Sequence, residues 1–261
     1  MDYPKLQNQP LTAVLAEFRF SPVLQISEKI PQLQDRLRTQ YPGFVQRLSA
    51  QISFGAPAPV QSPPIPIAWV FTSASKRQSV FLEPNRVIYA SADYDRFPGF
   101  QEACRSILDV VSEVVSPGTL DRVGLRYNDA INPGPERVLS DYLLSQVLPA
   151  QSMLDRGDQV ISHQYTTAIR TSEGIMQVRA LIGKTGLPMM PDMLMIFPTP
   201  VADPLPVEYD TAILDFDHFW EGQGKAFAVD EAVSQLEKLH DRARKAFWSI
   251  TTPKAKDEYW R

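Results

Sequence analysis

Asp121-Arg122-Val123-Gly124-Leu125-Arg126-Tyr127-Asn128 lies near the middle of the chain, directly after a helix-like stretch and a Ser116-Pro117-Gly118 break. Its alternation reads as a strand. Val123, Leu125 and Tyr127 point one way, and Arg122, Arg126 and Asn128 point the other. The order of elements on either side makes this strand the opening of a second copy of a duplicated unit, and the fold reading follows from it.

Upstream, residues 12–20 alternate as a strand with Val14, Ala16, Phe18 and Phe20 on one face. A helix starting near Ser27 places Ile30, Leu33, Leu37 and Tyr41 at helical spacing and stops at Pro42-Gly43. Strands follow at 44–54, 67–73, 78–83 and 86–94, joined at Ser75-Lys76-Arg77 and Pro84-Asn85. The proline-rich run 56–66 reads as an extended connection. A helix beginning near Pro98 then carries Phe100, Cys104, Ile107, Leu108, Val111 and Val115 on one stripe.

Downstream, a short helix is expected over 138–148. Strands are expected at 160–171, 174–182, 193–197 and 211–217, and a final helix over 230–250. Residues 12–116 thus read strand, helix, four strands, helix, and residues 121–250 read the same. Phe18-Arg19-Phe20 matches Leu125-Arg126-Tyr127, and Asp93-Tyr94-Asp95-Arg96-Phe97 matches Asp215-Phe216-Asp217-His218-Phe219. The expected fold is α+β: a largely antiparallel sheet built from two pseudo-repeats, with the long helices on one sheet face. Residues 1–261 are expected to form one compact domain or two tightly packed subdomains, with 254–261 a loose tail.

Composition narrows the functions. A net charge of -4 argues against a general nucleic-acid binder, which needs a basic footprint. One cysteine, Cys104, excludes an internal disulfide framework and fits a reducing cytoplasm. The start of the chain has no signal-peptide pattern, and no apolar run is long enough to span a membrane. His163, His218 and His240 are scattered, which argues against a zinc site, and no dinucleotide or phosphate-loop fingerprint is present. No cofactor is expected.

Strand parity marks two candidate surfaces. Glu17, Arg19, Arg122, Arg126, Asn128, Asp215 and Asp217 lie opposite their strands' aromatics. If first and last strands neighbour each other in each half, an arginine meets a carboxylate pair there. Such pairs either fix strand register or form pseudo-symmetric polar pockets. Glu17, Asp215, Asp217 and His218 could then also converge on a hard metal ion, a reading that stays secondary. The second surface is the methionine-rich 187–195 run, where Met189 and Met190 fall in a loop and methionine-rich surfaces adapt to partners.

The 10–22 segment, Arg122-Val123-Gly124-Leu125-Arg126-Tyr127-Asn128 and Leu214-Asp215-Phe216-Asp217 together resemble the signature segments of a sporadically distributed bacterial protein family of about this length. That family has no assigned activity, so the resemblance implies no catalytic residue. Its patchy distribution implies a setting of genetic conflict, such as defence or a toxin–antitoxin pair. The leading expectation is a non-catalytic cytoplasmic protein that binds a protein or peptide, with a homodimer compatible. The alternative is an enzyme or sensor of a small anionic ligand using the arginine and aspartate face.

Overall fold

The strand that opens the second half, β6 (Thr119–Ile131), lies at the middle of one antiparallel sheet, between β1 (Leu11–Phe20) and β9 (Thr211–Ala226). A computed structural model describes residues 3–48, 66–155, 158, 160–194, 196–197 and 199–261. Among these, β2 (Gly43–Leu48), β3 (Pro66–Thr72), β4 (Gln78–Glu83) and β5 (Arg86–Ser91) extend the sheet beyond β1. On the other side, β8 (Ile175–Gly183) and β7 (Ser162–Arg170) extend it beyond β9. The strand order is β2-β3-β4-β5-β1-β6-β9-β8-β7. Counted outward from the β1–β6 boundary, β5 and β9, β4 and β8, and β3 and β7 take matching places. The fold is α+β with a large antiparallel sheet, as the sequence implied.

Strand parity sorts the core. Val14, Ala16, Phe18, Phe20, Val123, Leu125, Tyr127, Leu214 and Phe216 join one buried cluster with the helices α1 (Ile26–Leu37), α2 (Phe97–Val114) and α4 (Val229–Ile250). Cys104 lies wholly inside it, with burial pushing its thiol far above the usual range. A smaller cluster forms on the opposite face, where Ala13, Leu15, Val70, Phe81 and Ile88 pack against Met189, Met193, Phe197 and Val201.

The second half does not repeat strand, helix, four strands, helix. Its order is β6, β7, β8, a single helical turn α3 (Pro191–Leu194), β9 and α4. The helix expected over 138–148 is only a 3-10 turn at Leu139–Asp141. Leu144 N–H donates to Ile250 carbonyl oxygen at 2.9 Å and Thr252 N–H to Tyr142 at 2.9 Å. Backbone groups that a helix would use are thus taken by the end of α4, while Leu139, Tyr142, Leu143 and Val147 are buried. The strand expected at 193–197 is also absent from the described residues. Met193 and Phe197 are four apart and both buried, and Ile196 N–H reaches Met193 at 3.1 Å, so the apolar spacing was that of a turn, not a strand.

Other expectations shift in extent. β9 continues to Ala226, past the expected end at 217. The described part of the strand expected at 44–54 ends at Leu48, and the proline run 56–66 lies outside the described residues apart from Pro66 in β3. At the Ser172-Glu173 hairpin, Gly174 has φ +156°, and a Cβ there would collide with the Phe219 carbonyl. The tail is not loose. Residues Ala255–Tyr259 form a wide helical turn. Trp260 is buried against Tyr142 and Phe247, ring centroids 5.8 and 5.6 Å away, and its carbonyl accepts from Asn8 N–H at 3.1 Å. One aromatic side chain supplies enough apolar area to hold a chain end down.

Candidate functional site

β6 presents chemistry to both faces of the sheet in alternation. On the face away from the long helices, the charged side chains are partnered with one another. Asp215 is fully buried and takes Arg126 Nε at 2.6 Å on one oxygen and Arg179 Nε at 2.7 Å on the other. Arg126 also grips Asp192 through two parallel bonds of 2.6 and 2.9 Å. Burial works against the Arg126 charge, but both carboxylates more than offset it and raise its pKa, while the Arg126 bond holds Asp192 low.

Glu17 is the other node. It receives Arg19 Nε at 2.7 Å and Arg86 at 2.9 Å, with Arg122 Nε 3.4 Å away, and Arg86 bonds Glu83 bidentately. Arg122 lies over the Phe219 ring, 3.6 Å from its centroid. Desolvation lowers its pKa, and its Nε has no hydrogen-bond acceptor among the described residues. Desolvation likewise raises the Asp217 carboxyl. Asn128 serves the backbone: its Oδ1 accepts Met190 N–H at 2.9 Å, and its Nδ2 donates to Thr12 Oγ at 3.1 Å.

The expected meeting of arginine with a carboxylate pair therefore holds in the second half for Arg126 and Asp215 and fails in the first. Asp93 and Asp95 lie past the end of β5, both exposed, and bond Arg77 and Lys5 instead of Arg19. Asp215 and Asp217 are inside β9, so the two Asp–aromatic–Asp motifs do not occupy equivalent places. Met189 and Met190 offer no partner surface, being 1% and 8% exposed. They turn inward because α3 and its flanks cover apolar sheet that would otherwise face water. His218 does not join Asp215 and Asp217 on a shared site. It lies on the helix face, its Nδ1 3.1 Å from Leu239 carbonyl oxygen and its Nε2 2.9 Å from Thr171 Oγ. Among the described residues, no group of three His, Cys, Asp or Glu side chains is placed to hold a metal ion.

The helix-side residues of the same strand build something different. Beyond Tyr127, β6 places Asp129 beside the start of β1, where the register shifts between Leu11 and Ala13. Bulges of this kind re-aim side chains next to functional sites. Here Tyr127 and Asp129 line a cavity of about 400 Å³ bounded by residues 3–11, the 94–98 turn and α4. The Tyr127 hydroxyl and His240 Nδ1 share a hydrogen bond of 2.8 Å, and the His240 ring stacks on Phe97 at 3.9 Å and 2°. Tyr3 and Trp248 stack at 4.8 Å along the wall, and Tyr94 meets Tyr127 edge-on at 5.8 Å.

The titration states follow from burial. Desolvation, helped by the nearby Arg244 charge, pushes His240 down to about 3, so the imidazole is neutral at pH 7. Desolvation pushes the Tyr127 hydroxyl far up and Tyr94 up to about 12. Asp129 is 4% exposed and lines the cavity, and no hydrogen bond to its carboxyl is found among the described residues. Desolvation, with a smaller contribution from the Asp215 charge, raises it to about 8. A cavity in the usual ligand size range, walled by aromatics and holding a few converging polar groups with displaced pKa values, is what small-molecule sites look like.

The sequence alone put Tyr127 on one face with Val123 and Leu125 and showed His240 only as one of three scattered histidines, and Asp129 did not stand out. A signal was available: Asp129 continues the Val123, Leu125, Tyr127 face, so a carboxylate stands on an apolar stripe. Against the protein-family models and the curated protein sequences, this chain finds no match.

Proposed function

We propose that this is a ligand-binding protein, carrying out no reaction of its own, whose ligand is a small molecule seated in the Tyr127–Asp129–His240 cavity. The reading is carried by the cavity itself: about 400 Å³, aromatic walls, and a buried carboxyl without a hydrogen-bond partner among the described residues. The Met189–Met190 segment gives no support to a protein partner docking there, and Arg19, Arg86, Arg126 and Arg179 of the opposite face are held by carboxylates. No serine, threonine or cysteine is among the described residues lining the cavity, and burial keeps the Tyr127 hydroxyl bonded to His240 in its neutral form.

Native mass spectrometry of the protein purified gently from its own host tests this, alongside a Leu11→Trp variant that fills the cavity mouth. The wild type is expected to carry a small-molecule adduct that the variant lacks. A bare wild type whose tryptophan emission is also unmoved by aromatic amines, alcohols and acids overturns the reading.

A second reading, a sensor of a small anion on the open face, is favoured by one observation. Arg122 Nε is buried, desolvated and without an acceptor among the described residues. Titration with inorganic phosphate, comparing wild type with Arg122→Gln, decides it. A phosphate-induced rise in melting temperature that the variant loses supports it, and equal responses sink it.

A further inference from the structure

Resting on the cavity reading above, we infer that the ligand is a cation, an organic ammonium carried on a flat or apolar body, with Asp129 as its counter-ion. Three observations converge. First, Asp129 is almost wholly buried on the cavity wall, with no hydrogen bond among the described residues. A buried carboxyl in that state costs free energy unless something occupies the space in front of it, and a positively charged donor is the strongest such occupant. Second, Tyr3, Tyr94, Phe97, Tyr127 and Trp248 surround the space, and the faces of such rings attract ammonium groups. Third, the cations already present are largely accounted for.

Lys5 on the N-terminal segment is bound by Asp95 of the facing turn. Arg244 of α4 lies 3.4 Å from Asp241 and over the Tyr3 ring, 5.2 Å from its centroid. His240 is neutral. Of the charged side chains lining the space, that leaves Arg96 of the turn and Glu237 of α4, whose charges cancel, and Asp129, whose ionised form is the one negative charge with no lining cation left to balance it. The bulge opposite Asp129 serves this arrangement, because it brings the start of β1 and residues 3–10 across the cavity as a wall.

A cation arriving at Asp129 favours its ionised form. Burial raises the carboxyl to about 8, so at pH 7 it is mostly protonated, and binding of a cation releases that proton. Below about pH 8 the amine's affinity therefore strengthens with pH, approaching tenfold per unit well below that value and levelling off above it.

The experiment compares 2-phenylethylamine, 2-phenylethanol and 3-phenylpropionate by titration calorimetry on wild type and Asp129→Asn, with folding of both checked by thermal unfolding. The amine is expected to bind wild type at least about tenfold tighter than either analogue, a difference typical of a charge-assisted bond. Asp129→Asn is expected to lose that preference. Repeating the amine titration at pH 7 in buffers of different ionisation enthalpy is expected to show net proton release on amine binding. Alcohol or acid binding as tightly as the amine overturns the cation inference while leaving the cavity reading standing. Absence of binding by all three at millimolar concentration overturns both. Tight amine binding that survives Asp129→Asn and releases no proton overturns the role of Asp129.

Discussion

Arg126 and Tyr127 are neighbours on β6, as are Asn128 and Asp129, yet the two faces they serve have opposite characters. On the open face, Arg126, Arg179, Asp192 and Asp215 exchange bonds of 2.6 to 2.9 Å. On the helix face, Asp129 is just as deeply placed and has no such bond among the described residues. The open face contains more charge, and the eye goes there first. Its charges are spent on one another, so they hold strands in register. The helix face contains a single misfit carboxyl beside empty space, and a misfit is where a ligand has something to offer. Charged clusters point to function less well than a buried polar group without a partner.

Five substitutions would break or sharpen this contrast. The largest effect is expected for Asp215→Ala, which leaves Arg126 and Arg179 facing each other without their shared buried anion. Breaking a buried ion pair this way costs about 3–5 kcal/mol. At about 2–4 °C per kcal/mol for a chain of this size, the melting temperature should fall by roughly 10 °C. A drop under about 3 °C would mean the open face does not hold the sheet together, and the contrast collapses.

Asp129→Asn should act in the opposite direction. The folded-state pKa of Asp129, about 8, lies above the ordinary carboxyl value of 3.8. The folded protein therefore binds more protons than the unfolded chain between those values, so the carboxyl's contribution is favourable at low pH and fades as pH rises towards 8. The amide removes that dependence. Chemical denaturation should show the variant nearly equal to wild type at pH 4 and more stable than it by at least about 1–2 kcal/mol at pH 8. A variant destabilised at pH 8 would show that Asp129 already has a partner.

Tyr127→Phe removes the bond to His240 from a buried site and should cost about 1 kcal/mol. It bears on the acid limb as well. His240, with its pKa lowered to about 3 from 6.5, contributes stability that is fully present above about 6.5 and is lost as pH falls towards 3, because the unfolded chain takes up the proton first. His240→Leu should therefore flatten the fall in stability between pH 6 and 4, measured by denaturant midpoints. An unchanged slope would place the acid sensitivity elsewhere. The smallest effect belongs to Arg19→Ala. Its side chain is 42% exposed, and its bond to Glu17 is shared with Arg86, so the cost should stay below about 1 kcal/mol. A larger loss would make the Glu17 node more than a surface network.

Alternation alone made the central strands and their two faces legible. Alternation in residues 12–20 and 121–128 fixed which side chains face the helices, because the strand period of two leaves no freedom once one face is apolar. The stripes of α2 and α4 were equally legible, as was the bond between Arg126 and Asp215. Only the tertiary structure decided what fills the gaps between those elements. Residues 138–148 have the apolar spacing of a helix, but the end of α4 offers their backbone better partners. The 187–197 run reads as strand and loop until the exposed half of the sheet demands a cover. Trp260 looks like part of a frayed end until Tyr142 and Phe247 are placed beside it. The cavity was the least visible of all. It is made by residues 3–11, the 94–98 turn, β6 and α4, segments far apart in the chain. A local pattern can say that Asp129 stands on an apolar face, but whether that face is filled or hollow depends on every element that packs over it.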